Sequence, residues 1–443
     1  MSAADPVSHA QARRLLTVLG VGFGLAVTVG NIIGAGILRT PGEIAGHLPR
    51  FAPFIAVWII GGLYALLGAN SLAELGSIVP KSGGQYVFVR RALGDYPAFI
   101  VGWSDWISTC GTTAFVAIVI GEHARDLFPH TVNSIGLVAL IVIGALTIVQ
   151  WFGVKWGSGA QNVTSVLKAL AFLILIAACF RFGARNPMVT SFETEPETSM
   201  LLAFVLALQA VIYTYDGWTA VIYFSEEVKN PGKNIPRSMF GGVISVIVIY
   251  LLVNIAFLCV VPLGSLAGEK RPAGVVARHL FGPYGDTVLL WITLVALLSA
   301  LNSNVLMAPR VILAMGRDRL FWRGATEVNR GGTPDIALLI SSALAVAFVM
   351  SGRVESILAV LAFFFVVNYT LSFVSLFVLR RREPDIERPF RAWGHPFTTG
   401  LALVASVAFL IGAIMSDTRM SIYALVILGA SVPIYFLMKL RTT

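Results

Sequence analysis

The chain has 443 residues, of which 57% are hydrophobic and only 12% charged, and its mean hydropathy is +0.81. Soluble domains carry nearer a quarter charged residues. The composition therefore excludes a water-soluble globular protein and points to an all-α polytopic membrane protein, each span needing about 20 apolar residues. The net charge of +9 is spread over loops, with no basic run interleaved with aromatics. That excludes a nucleic-acid-binding surface and leaves the lipid bilayer as the large partner.

Residues 1–15 are short and polar and run into the first apolar stretch without an Ala-x-Ala cleavage site, so no signal peptide is expected. The first span, 16–47, contains Gly30, Gly34 and Gly36 in its middle. Each glycine costs about 1 kcal/mol against alanine in a helix, so the helix is expected to stop and restart there. An unwound segment in hydrocarbon leaves peptide groups without partners unless it faces protein, water or a ligand. The half-helix restarting near Ile37 would aim its amides and positive dipole end at the break, where a small carboxylate could sit. Close helix packing on small residues is the structural alternative.

Eleven further spans are expected at 52–76, 84–119, 134–153, 160–182, 200–224, 239–262, 284–312, 335–350, 355–379, 398–415 and 420–438, giving twelve in all. The sixth repeats the theme of the first: Tyr213-Thr-Tyr-Asp216-Gly217-Trp218 interrupts an apolar helix. Two interrupted helices in corresponding positions of two halves are the sequence mark of a binding site between inverted repeats. The polar run Glu226–Arg237 reads, taken alone, as a solvated loop. With the N-terminus placed inside, the inner loops carry twenty-one lysines and arginines and the outer ones ten, Arg310 being counted among the inner set. That bias places both termini in the cytoplasm.

Asp105, Lys168 and Asp216 are ionisable residues well inside spans, each costing about 2.5–3.5 kcal/mol on insertion scales, which makes function their default reading. Each has a structural alternative. Asp216 can cap amides freed by the second break, Lys168 can snorkel or brace two helices, and Asp105 can pair with a polar neighbour. Tyr213, directly before the second break, is the candidate gate. Ser299, Asn302, Ser303 and Asn304 suggest helix–helix hydrogen bonding. Cys110, Cys179 and Cys259 each fall inside an apolar run, without disulfide or metal spacing. The sequons at Asn162 and Asn368 lie in or beside spans. No nucleotide loop, nucleophile elbow or zinc motif is present, so no catalytic residue, metal or cofactor is expected, nor an enzyme or a primary pump.

Gly30-Asn-Ile-Ile-Gly-Ala-Gly-Ile37 resembles the first-helix signature of the amino acid–polyamine–organocation superfamily. Pro80-Lys-Ser-Gly-Gly-Gln-Tyr86, Tyr215-Asp-Gly-Trp218, Glu226-Glu-Val-Lys-Asn-Pro231 and Arg317-Asp-Arg-Leu-Phe321 follow in the order of its L-type amino acid transporter branch and bacterial relatives. The resemblance implies a LeuT-like 5+5 inverted repeat with broken helices 1 and 6. The first repeat would span 16–182 and the second 200–379. Two more helices would occupy 398–438, and a cytoplasmic tail 439–443. By the same resemblance the substrate α-carboxylate meets amides around Gly34, Ala35 and Gly36, the α-ammonium meets carbonyls near Ile32, Tyr213 and Asp216, and Tyr213 is the lid. Many relatives have serine where this chain has Ala35, so here the amide is kept without the hydroxyl. Lys168 would stand where sodium-coupled members hold an ion, making transport sodium-independent, and it could exchange a proton during the cycle. Relatives that work with a glycoprotein partner carry a cysteine in the loop after the third span; Glu122–His130 has none, so no disulfide-linked partner is expected. The function implied is secondary transport of L-amino acids, neutral ones, across a bacterial cytoplasmic membrane, by exchange or proton symport. A cationic amino acid or polyamine exchanger and a non-transporting membrane sensor are the alternatives.

Overall fold

Helices make up every long element of the computed structural model, which describes residues 14–183, 199–352, 354–416 and 418–440. In order they are α1 Val21–Ile32, α2 Gly36–His47, α3 Phe51–Ile78, α4 Gln85–Leu93, α5 Asp95–Leu127, α6 Ile135–Trp151, α7 Val154–Phe182 and α8 Met200–Thr214. They continue with α9 Pro231–Val260, α10 Pro272–Phe281, α11 Gly285–Arg317, α12 Asp335–Ser351, α13 Val354–Arg382, α14 Phe397–Ser416 and α15 Thr418–Leu440. No strand occurs among the described residues; Leu19 and Val228 form an isolated parallel bridge. Expectations for residues 1–13 and 441–443, and for Arg185 and Arg353 in the charge count, fall outside the described residues.

Among the described residues, eight helical stretches, α10 and α11 counting as one, are long and apolar enough to cross a bilayer, and α1 with α2 forms a ninth, bent by 45° at its break. The chain is thus a multi-pass membrane protein. Apolar side chains of α7, α14 and α15 stay exposed, among them Ile174, Phe182, Val404 and Val426. On a soluble protein such a belt would be a liability; here it fits hydrocarbon. Inside, α3 packs on α9, α5 on α11 and α13, and α1 on α9 and α7. All three cysteines are free, and Cys110 and Cys179 are buried.

The structure revises several expected boundaries. The stretch expected as one span from residue 84 is two helices, because Gly94 at φ +92° turns the chain between α4 and α5. The amphipathic α10 was not expected at all. The polar run Glu226–Arg237 is not a solvated loop. Pro231 opens α9, where its missing N–H costs nothing, and Glu227 is fully buried. Its partner is Arg310, expected in an inner loop but found buried within α11; the carboxylate accepts from the guanidinium at 2.6 and 2.7 Å. That guanidinium also lies 4.4 Å over the Phe224 ring. The same end of the molecule is tied by Arg317 to Glu226, Arg91 to Glu383, and both Arg380 and Arg388 to the buried Glu74.

Candidate functional site

The first break is three residues, Ile33–Ala35, between α1 and α2. Helix geometry leaves the first amides of α2 without internal acceptors, and no side chain caps them. Among the described residues the amides of Gly34 and Ala35 donate to no backbone oxygen. The carbonyls freed at the end of α1 are taken by Lys168 of α7. Its ammonium donates to the Gly30 oxygen at 2.7 Å and to the Ile33 oxygen, and the whole side chain is buried. This close approach needs glycine at position 30, since a Cβ there would run into Gln161, Ser165 and Ser299. Those three side chains form the wall that holds α1: the Ser165 hydroxyl donates to the Ala26 carbonyl at 2.7 Å, and Gln161 donates to Ala26 and Ser299. Asn302 donates to Gln161 and accepts from Gln150. Ser299 and Asn302 therefore bond across helices as expected, whereas Ser303 and Asn304 donate within α11 to Ser299 and Ala300.

The second break follows α8. The Tyr215–Thr219 segment leads into a 3-10 turn at Ala220–Phe224. Gly217, at φ +104°, makes the turn and lies so close to Asn31 that a Cβ would collide with it. Asp216 donates its amide to the Tyr213 carbonyl at 3.1 Å, and its carboxylate accepts from the Tyr369 hydroxyl of α13. The two breaks are joined directly. The Tyr250 hydroxyl lies within hydrogen-bond range of the Ile32 carbonyl, 2.9 Å, and the Thr214 carbonyl, 3.1 Å. Asn31 donates to the Gly217 carbonyl at 3.4 Å, and Thr40 and Thr214 share a hydrogen bond of 2.8 Å.

Between the breaks lies a cavity of about 160 Å³, and Ile32, Gly34, Ala35, Gly36, Tyr213 and Asp216 all line it. Tyr213, 44% exposed, is one of the residues of its wall. It also borders a smaller aromatic recess with Tyr64, Trp218, Phe365 and Phe409. The Ile32 carbonyl, expected to meet an ammonium, already has Tyr250 as a partner and keeps one lone pair. Lys168 stands behind the break and does not line the cavity. Tyr369, Tyr223, Gln85, Thr109 and Asn31 line it as well, and sequence reasoning missed them. A tyrosine or glutamine in a span carries no local mark of its partner; only Asn31, inside the glycine-rich motif, had such a signal. A larger surface recess of about 710 Å³ lies at the arginine-rich end beside Arg14, Glu226 and Arg317, but it touches neither break.

A cavity between two interrupted helices, with the uncapped start of a half-helix on one side, is the architecture of a solute transporter. The chain belongs to the amino acid permease family, whose profile matches residues 23–432. It is similar to the serine/threonine exchanger SteT of Bacillus subtilis, 28% identical over 440 residues covering 98% of this chain and 99% of that one. It is also similar to the b(0,+)-type amino acid transporter 1 of Mus musculus, 27% identical with 95% and 87% covered. The cystine/glutamate transporter of Homo sapiens is 26% identical, with 90% and 84% covered.

Proposed function

We propose that this permease is a sodium-independent secondary transporter of neutral L-amino acids, working by alternating access as an exchanger or proton symporter. The observation that carries the reading is the cavity: it is bounded on one side by the uncapped start of α2 and on the other by the second break, with Lys168 holding the first break in shape. In this reading a carboxylate binds the amides at Gly34, Ala35 and Gly36, where helix geometry favours an anion. The ammonium binds carbonyls around Ile32 and Tyr213 beside the Asp216 carboxylate, and Tyr213 swings to cover the substrate. Similarity to an exchanger named for serine and threonine supports a neutral substrate. Lys168, bonded to two carbonyls that an ion would otherwise coordinate, supports independence from sodium. The motif resemblance and the two interrupted helices support a LeuT-like arrangement of twelve spans. Residues 16–182 form one five-helix repeat and 200–379 its inverted copy, followed by 398–438. The arginine bias supports cytoplasmic termini in a bacterial cytoplasmic membrane. We take the protein to act without a disulfide-linked partner and without enzymatic activity.

The half-buried Asp216 in the cavity wall favours a second reading, in which a cationic amino acid or polyamine is carried. Uptake of labelled amino acids into proteoliposomes tests both. Saturable uptake of neutral amino acids, equal in sodium and in choline, is expected. Loss of activity in choline refutes sodium independence. Competition by arginine but not by serine or alanine replaces the first reading with the second, and no uptake of any amino acid refutes both.

A further inference from the structure

We propose that Asp105 and Tyr223 together form a proton-binding site that couples substrate movement to a proton gradient, an inference that rests on the transporter reading above. Asp105 sits in the middle of α5 and is 1% exposed; Tyr223, in the 3-10 turn after the second break, is 2% exposed. The Tyr223 hydroxyl donates to the Asp105 carboxylate, 2.8 Å from one oxygen and 2.9 Å from the other. None of the ion pairs among the described residues includes Asp105. A buried carboxylate without a cation carries a desolvation penalty of several kcal/mol, more than one phenol hydrogen bond returns, and a single bound proton removes it.

Tyr223 and Asp216 are the titratable groups that act on Asp105, and the following groups on α5 and on elements packed around it are engaged elsewhere or carry no positive charge. Asp216 of the second break is a second carboxylate and accepts from Tyr369 of α13. Cys110, on α5 itself, is a buried free thiol. Arg310 of α11 is held by Glu227, and Arg90 of α4 by Asp95 and Asp318. Tyr86 of α4 donates to Asp318 as well. Asp335 of α12 caps the Ile336 amide, Lys439 of α15 lies over the Tyr435 ring, and α6 has no titratable residue. A proton is therefore the cation that fits.

The placement also gives that proton a path and a consequence. Tyr223 lines the cavity while Asp105 stands behind it. A proton from cavity water can reach the phenol oxygen as the phenol proton passes to Asp105, so one proton moves and no covalent bond is otherwise changed. The phenol belongs to the turn beyond the second break, and the carboxylate to the long α5. With Asp105 ionised the two are joined by a charge-assisted bond, about twice as strong as the neutral bond left after protonation. The proton thus has different affinity for the docked and released positions of the turn, which is the thermodynamic condition for coupling.

The test compares gradient-driven accumulation with counterflow in proteoliposomes, where counterflow needs no net proton movement. For wild type, a one-unit pH gradient, acid outside, should drive accumulation of a neutral amino acid up to about tenfold if one proton moves with each substrate. Asp105→Asn should show no gradient-driven accumulation, and its counterflow rate should not vary with pH. Wild-type counterflow without gradient-driven accumulation overturns the proton site, as does Asp105→Asn accumulating as wild type does. Absence of wild-type counterflow overturns the transporter reading instead. Should Asp105→Asn fail to fold, infrared spectra decide. A protonated-carboxyl band of wild type that shifts in Tyr223→Phe, which keeps the ring packed on Gly84, supports the site. Spectra of the two that coincide from mildly acidic to mildly alkaline buffer overturn it.

Discussion

Replacing Lys168 with alanine tests whether its ammonium holds the first break in shape. The side chain is fully buried and donates to the carbonyls of Gly30 and Ile33. Hydrogen bonds from a charged donor contribute about 1.5–3 kcal/mol each, so losing two costs about 3–6 kcal/mol. The two carbonyls left behind have no water to turn to unless the cavity floods the gap. Even the lower figure corresponds to roughly a hundredfold change in an equilibrium constant. Where the continuous helix and the break lie close in energy, the fraction of molecules with a formed amide site falls by that factor, and the apparent Kd rises with it. Binding of a labelled amino acid to purified protein in detergent measures the effect, with a melting curve to show that Lys168→Ala is folded. Affinity within about threefold of wild type, a change under 1 kcal/mol, would refute the bracing role.

Three further outcomes follow from the geometry. A Cβ at Gly34 meets nothing within 4 Å, whereas one at Gly36 comes 3.2 Å from the Thr214 methyl carbon. Gly34→Leu should therefore abolish binding with little change in melting temperature, while Gly36→Leu should lower both by wedging α2 from α8; wild-type affinity in Gly34→Leu would sink the amide site. Tyr213→Ala should weaken binding and Tyr213→Phe should be nearly neutral, because covering the substrate takes a ring; equal loss in both variants would assign the role to the phenol instead. Glu227→Ala leaves the buried Arg310 unpaired and should destabilise the protein by about 3–5 kcal/mol, with part of the loss regained in Glu227→Ala with Arg310→Met. An unchanged melting curve in the single variant would show that the pair contributes nothing.

Local chemistry is what the sequence displays well. Apolar runs of span length, glycines clustered at residues 30–36, and a Tyr-Asp-Gly-Trp interruption five spans later are all short-range signals. They determined the membrane class and the two breaks, and the family resemblance of the same motifs pointed to six residues that the fold gathers around one cavity. Helix ends were less legible where polarity misled: the run 226–237 looks solvated because its charges are counted singly, yet Glu227 is buried by a partner 83 residues away. The same holds for the tyrosines. Tyr369 reaches Asp216 across 153 residues, Tyr223 reaches Asp105 across 118, and Tyr250 joins Ile32 to Thr214 across 218 and 36. A tyrosine in an apolar helix is equally well read as packing, and only the assembled helices decide which carbonyl or carboxylate its hydroxyl meets. What tertiary structure alone decided is therefore the pairing of buried polar groups. In a low-dielectric interior an unpaired polar group is costly, and which partner it finds is set by how distant helices pack, not by any pattern within one of them.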